Sequence, residues 1–165
     1  MITVKINGEE RQYPQGATYE DVANDYQEEY DNLIALAARD GKIRELFKKL
    51  TRDCEITFFT LKDDVGNKTY VRSATMLFLK AVFDVFGRET VQNCRVEFAI
   101  GNGSYISPKG KINATEENAA KIRNRMRELV EAKTPFLKKS YSLDNAMELF
   151  RREGMKDKEK LFRYR

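Results

Sequence analysis

Ile2, Val4 and Ile6 alternate with Thr3, Lys5 and Asn7, a period of two that predicts a strand with one buried face. Asn7-Gly8 is a strong hairpin turn signal, so Glu9 to Tyr13 returns as a second strand, closed by Pro14 and Gly16. Thr18 precedes Tyr19-Glu20-Asp21-Val22-Ala23, an N-cap with two acids in the first turn of a short helix. The apolar run Leu33 to Ala37 ends at Asp40-Gly41 and turns back through Lys42 to Leu46. Glu55 to Leu61 reads as a last strand. Strand, strand, helix, strand, strand, strand within about sixty residues describes a small mixed sheet packed on one helix.

Asp63 to Lys68 is polar and turn-rich, which places a boundary between a first domain over 1–62 and a second over 68–165. From Tyr70 to Gly87 the pattern becomes helical: Val71, Ala74, Phe78, Val82 and Val85 recur on one face, and most of the other positions are apolar too. That predicts a helix buried on most sides, stopped by Gly87. Arg72, Met76, Lys80 and Asp84 follow at i, i+4 and form one line along it. Val91 to Ile100 reads as a strand, turning through Gly101-Asn102-Gly103-Ser104 into Tyr105 to Ser107. Thr115 caps a helix to about Ala132. A short strand is predicted around Phe136 to Tyr141, then Ser142 caps a helix over Leu143 to Glu153 that Gly154 ends. The segment from Asp157 is rich in charge and has no obvious stop.

At 41% hydrophobic and 34% charged, the 165 residues can bury a core, and no apolar run is long enough for a membrane span. The N-terminus lacks a charged region followed by an apolar one, so a cytoplasmic location is expected, without membrane partners. Cys54 and Cys94 stand outside any CxxC pattern and read as free buried thiols. The chain has no histidine. Histidine bases, His-ligated zinc and Ser-His or Cys-His pairs are therefore excluded within it, and no metal ligands are assigned.

Charge changes the picture along the chain. Residues 1–64 hold 9 Lys/Arg against 14 Asp/Glu, residues 65–119 hold 7 against 5, and residues 120–165 hold 14 against 7. The basic end suits an anionic partner or an ordinary solvated surface. Lys121, Arg125, Lys138 and Lys139 are the candidate nucleic-acid contacts, although few aromatics stand near them for base stacking. In the line along the long helix, Arg72 suits either bidentate binding of phosphate or carboxylate, or an ion pair with a nearby acid. Met76 reads as core. Ser73 has no histidine, and Lys80 lies seven residues on, so a Ser-Lys dyad is not assembled. Arg72, Ser73, Lys80 and Tyr105 form the candidate anion or ligand set, and no catalytic residue is assigned.

Ile2 to Pro14, Gly16-Ala17-Thr18, Ala35 to Gly41 and Cys54 to Thr60, in this order, resemble a TGS domain. This is the ubiquitin-like β-grasp module of threonyl-tRNA synthetases, Obg-type GTPases and stringent-response enzymes. The second half resembles the SAD domain of threonyl- and alanyl-tRNA synthetases, which hydrolyses mischarged tRNA with two histidines at i, i+4 on its opening helix. Val71 to Leu77 aligns with that helix and puts Arg72 and Met76 where the histidines would be. Gly103-Ser104-Tyr105, Pro135-Phe136 and Ala146 to Phe150 carry the remainder of the likeness. The implied fold class is α+β, a β-grasp domain followed by a SAD-like domain.

The same pairing, with Tyr70-Val71-Arg72-Ser73 in place of the histidine motif, is similar to the N-terminal half of bacterial uridine kinases. That resemblance implies a non-catalytic, ligand- or partner-sensing region of a nucleoside kinase. ATP or GTP with Mg would belong to a kinase domain absent here, which would be this region's partner. No G-x-x-x-x-G-K-[ST] loop occurs in the chain. The alternative is an RNA- or tRNA-binding module related to threonyl-tRNA synthetase, with its editing site lost.

Overall fold

The computed structural model describes residues 1–101, 103–108 and 113–164. The chain divides into two compact units, Met1–Met76 and Leu77–Arg165.

In the first unit, β1 (Ile2–Ile6) and β2 (Glu9–Tyr13) form the hairpin that Asn7-Gly8 predicts, with both turn residues at positive φ. Helix α1 (Tyr19–Tyr26) opens on a complete capping box. The Thr18 hydroxyl accepts from the Asp21 amide at 3.1 Å, and the Asp21 carboxylate accepts from the Thr18 amide at 2.7 Å. Those bonds to Thr18 hold the Asp21 carboxyl below its usual range. A second hairpin, β3 (Ile34–Arg39) and β4 (Lys42–Arg44), turns through Asp40-Gly41, and β5 (Cys54–Thr60) completes the sheet. The strand order is β2-β1-β5-β3-β4, with β1 and β5 parallel and the other pairs antiparallel. Two hairpins flanking one helix, with the first and last strands adjacent, make a β-grasp sheet. Val4, Ile6, Val22, Tyr26, Ala37 and Ile56 form the centre of its core. They are the inward positions of the alternating strands and the apolar face of α1, which is why simple periodicity locates this fold.

Helix α2 (Asp64–Phe86) begins inside the stretch read as a linker and runs unbroken through the division between the units. Asp63 takes the Thr60 amide at 2.7 Å and its hydroxyl at 3.0 Å, so the polar residues there fasten the helix start to the end of β5 rather than spacing two domains apart. The expectation of a helix buried on most sides is corrected. Ala81 and Val82 are buried, but Tyr70, Val71, Met76 and Phe83 are exposed. Met76, read as core, is 60% exposed.

In the second unit, Gly87 at φ 83 ends α2, and the chain winds again as α3 (Arg88–Asn93). Val91, expected in a strand, therefore lies in a helix. Side-chain bonds from Thr90 to the Phe86 carbonyl and from Asn93 to the Glu89 carbonyl hold this turn. The strand starts at Cys94: β6 (Cys94–Ile100) pairs antiparallel with β7 (Gly103–Pro108). Asn102 of the expected turn lies outside the described residues. Helix α4 (Glu116–Glu131) is capped by Thr115, α5 (Leu143–Arg152) by Ser142, and α6 (Lys156–Phe162) follows Gly154. The strand expected around Phe136 to Tyr141 does not form. Phe136 and Leu137 are exposed and among the described residues no strand pairs with them, and β propensity alone does not hold an unpaired strand. The unit is α+β, consistent with a SAD-like fold. None of the described helices is long and apolar enough to cross a membrane.

Candidate functional site

On α2 the residues of the line meet different surroundings. Arg72 is exposed and makes no hydrogen bond or ion pair among the described residues. The neighbouring hydroxyls turn back onto their own helix: Ser73 to the Thr69 carbonyl at 3.1 Å, Thr69 to Val65 at 2.9 Å, and Thr75 to Val71 at 2.8 Å. Ser73 therefore spends its proton on the backbone four residues earlier.

Lys80 and Asp84, one turn apart, form an ion pair, and the Lys80 ammonium lies 5.6 Å from the Phe83 ring centroid. Asp84 also accepts from Arg125 Nε at 2.9 Å, while Arg125 Nη1 reaches Glu128 at 2.8 Å. Two cations assigned from sequence to different roles, Lys80 to an anion set and Arg125 to a nucleic-acid face, thus converge on one carboxylate. The Lys80 hydrogen bond, opposed by desolvation and reinforced by Arg125, holds the Asp84 carboxyl below its usual range.

A depressed carboxylate pKa contributes stability that is fully present above the unfolded-state value and is lost as pH falls through the folded-state value. Asp84→Asn should lower the melting temperature of the second unit near neutral pH by about 4–8 °C, the shift that about 1 kcal/mol produces in a unit of this size. The two proteins should converge as pH drops below the carboxylate range. Melting curves from about pH 7 to about pH 2 test this, and a difference independent of pH would refute it.

Tyr105 stacks on Phe98 across the β6–β7 pair, with ring centroids 5.2 Å apart. The second unit also has a cavity of about 580 Å³ beside α2, lined mostly by apolar groups such as Phe78, Val82, Ile106, Ile122 and Met126, with Glu116 and Arg123 also in its wall. Lys80 and Tyr105 are not among its lining residues.

Of the 14 Lys/Arg of residues 120–165, Lys121, Arg123, Arg125, Arg151, Arg152 and Arg163 pair with carboxylates among the described residues. Lys121 pairs with Glu117 at 2.7 Å and Arg123 with Glu116 at 3.4 Å. Arg151 and Arg163 both reach Glu159, and Arg88 and Arg152 both reach Glu153. Lys138 and Lys139 are exposed on the irregular segment between α4 and α5. Cys54 and Cys94 are free thiols, half-buried rather than fully buried, and desolvation pushes both above the ordinary thiol range. Among the described residues no group of three His, Cys, Asp or Glu side chains could hold a metal ion.

One cluster escaped the sequence reading. Arg39, Arg44, Lys48 and Lys49 line a cavity of about 360 Å³ in the first unit, together with Tyr19, Ile43 and Glu45. The acidic balance of residues 1–64 hid it. A narrower window exposes it, since residues 39–52 hold six Lys/Arg against two Asp/Glu.

No protein-family model matches the chain. It is 29% identical over 160 residues to the threonine–tRNA ligase of Thermotoga maritima, a match covering 94% of this chain and 24% of the ligase. The ligase of Maricaulis maris is 28% identical over 164 residues, 99% of this chain and 25% of that protein. The Carboxydothermus hydrogenoformans ligase is 26% identical over 155 residues, 93% and 24% of the two chains. Nothing in these comparisons bears on a nucleoside kinase. The chain is similar, over nearly all of its length, to the N-terminal region of threonine–tRNA ligases, and it spans about a quarter of the length of those relatives.

Proposed function

We propose that this chain is a non-catalytic RNA-binding module whose target is tRNA, related to the N-terminal region of threonine–tRNA ligase and without editing chemistry. The observation that carries the reading is a similarity running through both units, at 94% of the chain for the Thermotoga maritima ligase. The SAD resemblance of Val71 to Leu77 implies that Arg72 and Met76 stand in for a histidine pair, and the whole chain lacks histidine. Hydrolysis of mischarged tRNA by that route has no general base here. Binding can persist without it, because attachment to a phosphate backbone needs cations and not a base.

The ion pairs of the second unit set the expected strength. With Lys121, Arg123, Arg125, Arg151 and Arg163 engaged by carboxylates, those cations displace fewer counterions from RNA than the charge surplus of residues 120–165 suggests. Neutralising about three phosphates gives a slope that costs roughly thirtyfold in affinity between about 50 and about 200 mM salt. Titration of a fluorescently labelled threonine tRNA transcript with the chain, at those two salt concentrations, tests the reading. Binding at low salt with a loss of that order supports it. Absence of binding at low salt, or release of threonine-specific tRNA from a mischarged complex above background, would overturn it.

A further inference from the structure

The cavity of the β-grasp unit is built rather than merely charged. Its floor is attached to the start of α1: the Tyr19 amide donates to the Lys48 carbonyl at 3.0 Å, Glu20 to Leu46 at 2.8 Å, and Leu50 to Ala17 at 2.7 Å. Thr18 and Lys49 add a β-bridge. These bonds hold the backbone that carries Lys48 and Lys49, so less ordering entropy would be lost when a ligand binds. They also occupy the first amides of α1 with protein carbonyls, so the helix end itself is not the binding element.

Several of the cations' contacts go to neutral groups. Arg39 Nη1 reaches the Thr51 hydroxyl at 3.0 Å, Arg44 Nη1 the Ile43 carbonyl at 3.2 Å, and the Lys48 ammonium lies 5.1 Å from the Phe47 ring centroid. Asp40, next to Arg39 in the chain, is turned to Arg52 at 3.1 Å and to the Glu55 amide at 3.1 Å. Glu45 is the one carboxylate lining the cavity against four cations.

Inside this ring of charge sits a polar group with nothing to bind. Tyr19 is 1% exposed, and its hydroxyl oxygen is buried with no hydrogen-bond partner. The hydroxyls of Tyr13 and Tyr26 are also unpartnered, but Tyr19 alone of the three lines this cavity. Arg39 and Arg44 act electrostatically on its phenol, and Arg39 comes near it without closing a hydrogen bond of good geometry. A buried hydroxyl left unsatisfied costs free energy in the free protein. Burial also raises the phenol's pKa, keeping it a protonated donor. A donor near two guanidinium groups, in a cavity that two lysines also line, matches an oxyanion with several acceptor oxygens. The volume, about 360 Å³, is at the small end for a ligand site and suits a phosphate group better than a whole nucleotide.

We propose that Arg39, Arg44, Lys48, Lys49 and the Tyr19 hydroxyl form a phosphate-binding site of the β-grasp unit. The phosphate is either a backbone phosphate of RNA or the terminal phosphate of a small molecule. The site stands on its own geometry and does not depend on the tRNA reading.

The test uses the full chain and two probes, inorganic pyrophosphate by calorimetric titration and a fluorescein-labelled RNA decamer by anisotropy. Variants are Arg44→Ala with Lys48→Ala, Tyr19→Phe, and Lys5→Ala with Lys62→Ala as a control that removes the same charge outside the cavity. The double cavity variant should lose more than about tenfold in affinity for at least one probe, while the control stays within about twofold. Tyr19→Phe should lose about tenfold for the same probe, yet melt no lower than the parent when phosphate is absent, since it deletes an unsatisfied hydroxyl and keeps the ring. An effect confined to RNA assigns the site to a polymer backbone, and an effect on pyrophosphate assigns it to free phosphates. Failure of the chain to bind either probe, or equal losses in cavity and control variants, overturns the site. A cavity variant that loses pyrophosphate but retains tRNA leaves both the site and the tRNA reading standing, whereas one that retains both probes and tRNA removes the site alone.

Discussion

Gly66→Ala should destabilise the β-grasp unit by roughly 3 kcal/mol and lower its melting temperature by about 12–24 °C, although the residue lies in a helix where alanine is ordinarily the better choice. A Cβ on Gly66 would stand 2.0 Å from the Thr60 carbonyl oxygen, 2.9 Å from its carbonyl carbon and 3.6 Å from Ala35 Cβ. The first two are backbone atoms at the end of β5, so no side-chain rotation relieves the overlap. The backbone is pinned from several sides. Asp63 accepts from both the amide and the hydroxyl of Thr60, the Asp63 amide returns to the Thr60 carbonyl at 3.1 Å, and Thr60 pairs with Ile34 in the sheet. Relief requires either prising α2 from β5 or breaking the strand register, and each spreads strain into the core. Asn67→Ala, one residue on and exposed, should be neutral or slightly stabilising by the same propensity scale. Parallel thermal melts of the two variants decide the matter. If Gly66→Ala melts with Asn67→Ala, the close approach is not a constraint.

The β-grasp unit was legible because each element reports itself through one short period. Ile2, Val4 and Ile6 face one way, Asn7-Gly8 and Asp40-Gly41 permit positive φ, and Thr18 with Asp21 announces the helix start. These are local signals that the tertiary structure agrees with. The second unit carries weaker signals. The apolar richness of α2 suggested burial, yet periodicity tells which residues share a face and not how much protein lies opposite that face. Val91 sits between a helix stop and a strand, and its β-branched side chain suits either outcome less decisively than the backbone bonds of Thr90 and Asn93. Phe136-Leu137 has strand chemistry but no partner strand, and strand formation depends on that partner.

Charge was legible only as a sum. The surplus in residues 120–165 pointed to α4 and the C-terminal helices, where the fold sets Glu117, Glu153 and Glu159 beside the cations. The i, i+4 spacing of Lys80 and Asp84 foretold their pairing, whereas Arg125 meets Asp84 from 41 positions away, which spacing does not reveal. In the first unit the deficit in the sum concealed the reverse arrangement. Asp40 hydrogen-bonds to Arg52 and the Glu55 amide, so the acid next to Arg39 in the chain is shared with another part of the loop. The buried Tyr19 hydroxyl among those cations depends on where α1 packs, and no linear pattern contains it.

The two units should unfold separately, with the second giving way first. In the β-grasp unit the buried core runs through both hairpins, α1 and β5, with Val4, Val22 and Ala37 fully enclosed. In the second unit, among the described residues, the buried apolar side chains are Ala81, Val82 and Leu129. Phe83, Val96, Phe98, Ile100 and Val130 remain exposed, and its sheet is a single pair of strands, which is marginal alone in water. Apolar burial stabilises by about 25 cal/mol per Å², so this contrast in enclosed side chains corresponds to several kcal/mol. Denaturant titration followed by circular dichroism should therefore show two transitions, and a single unfolding free energy would not describe the chain. Amide exchange should be slower in β1, β3 and β5 than in β6 and β7 by at least about a hundredfold. Ile56→Ala, which opens a cavity at the centre of the first core, should cost about 3 kcal/mol and move the later transition alone. A single sharp transition with uniform protection, or an Ile56→Ala variant that shifts the earlier step, would show that α2 couples the units into one cooperative body.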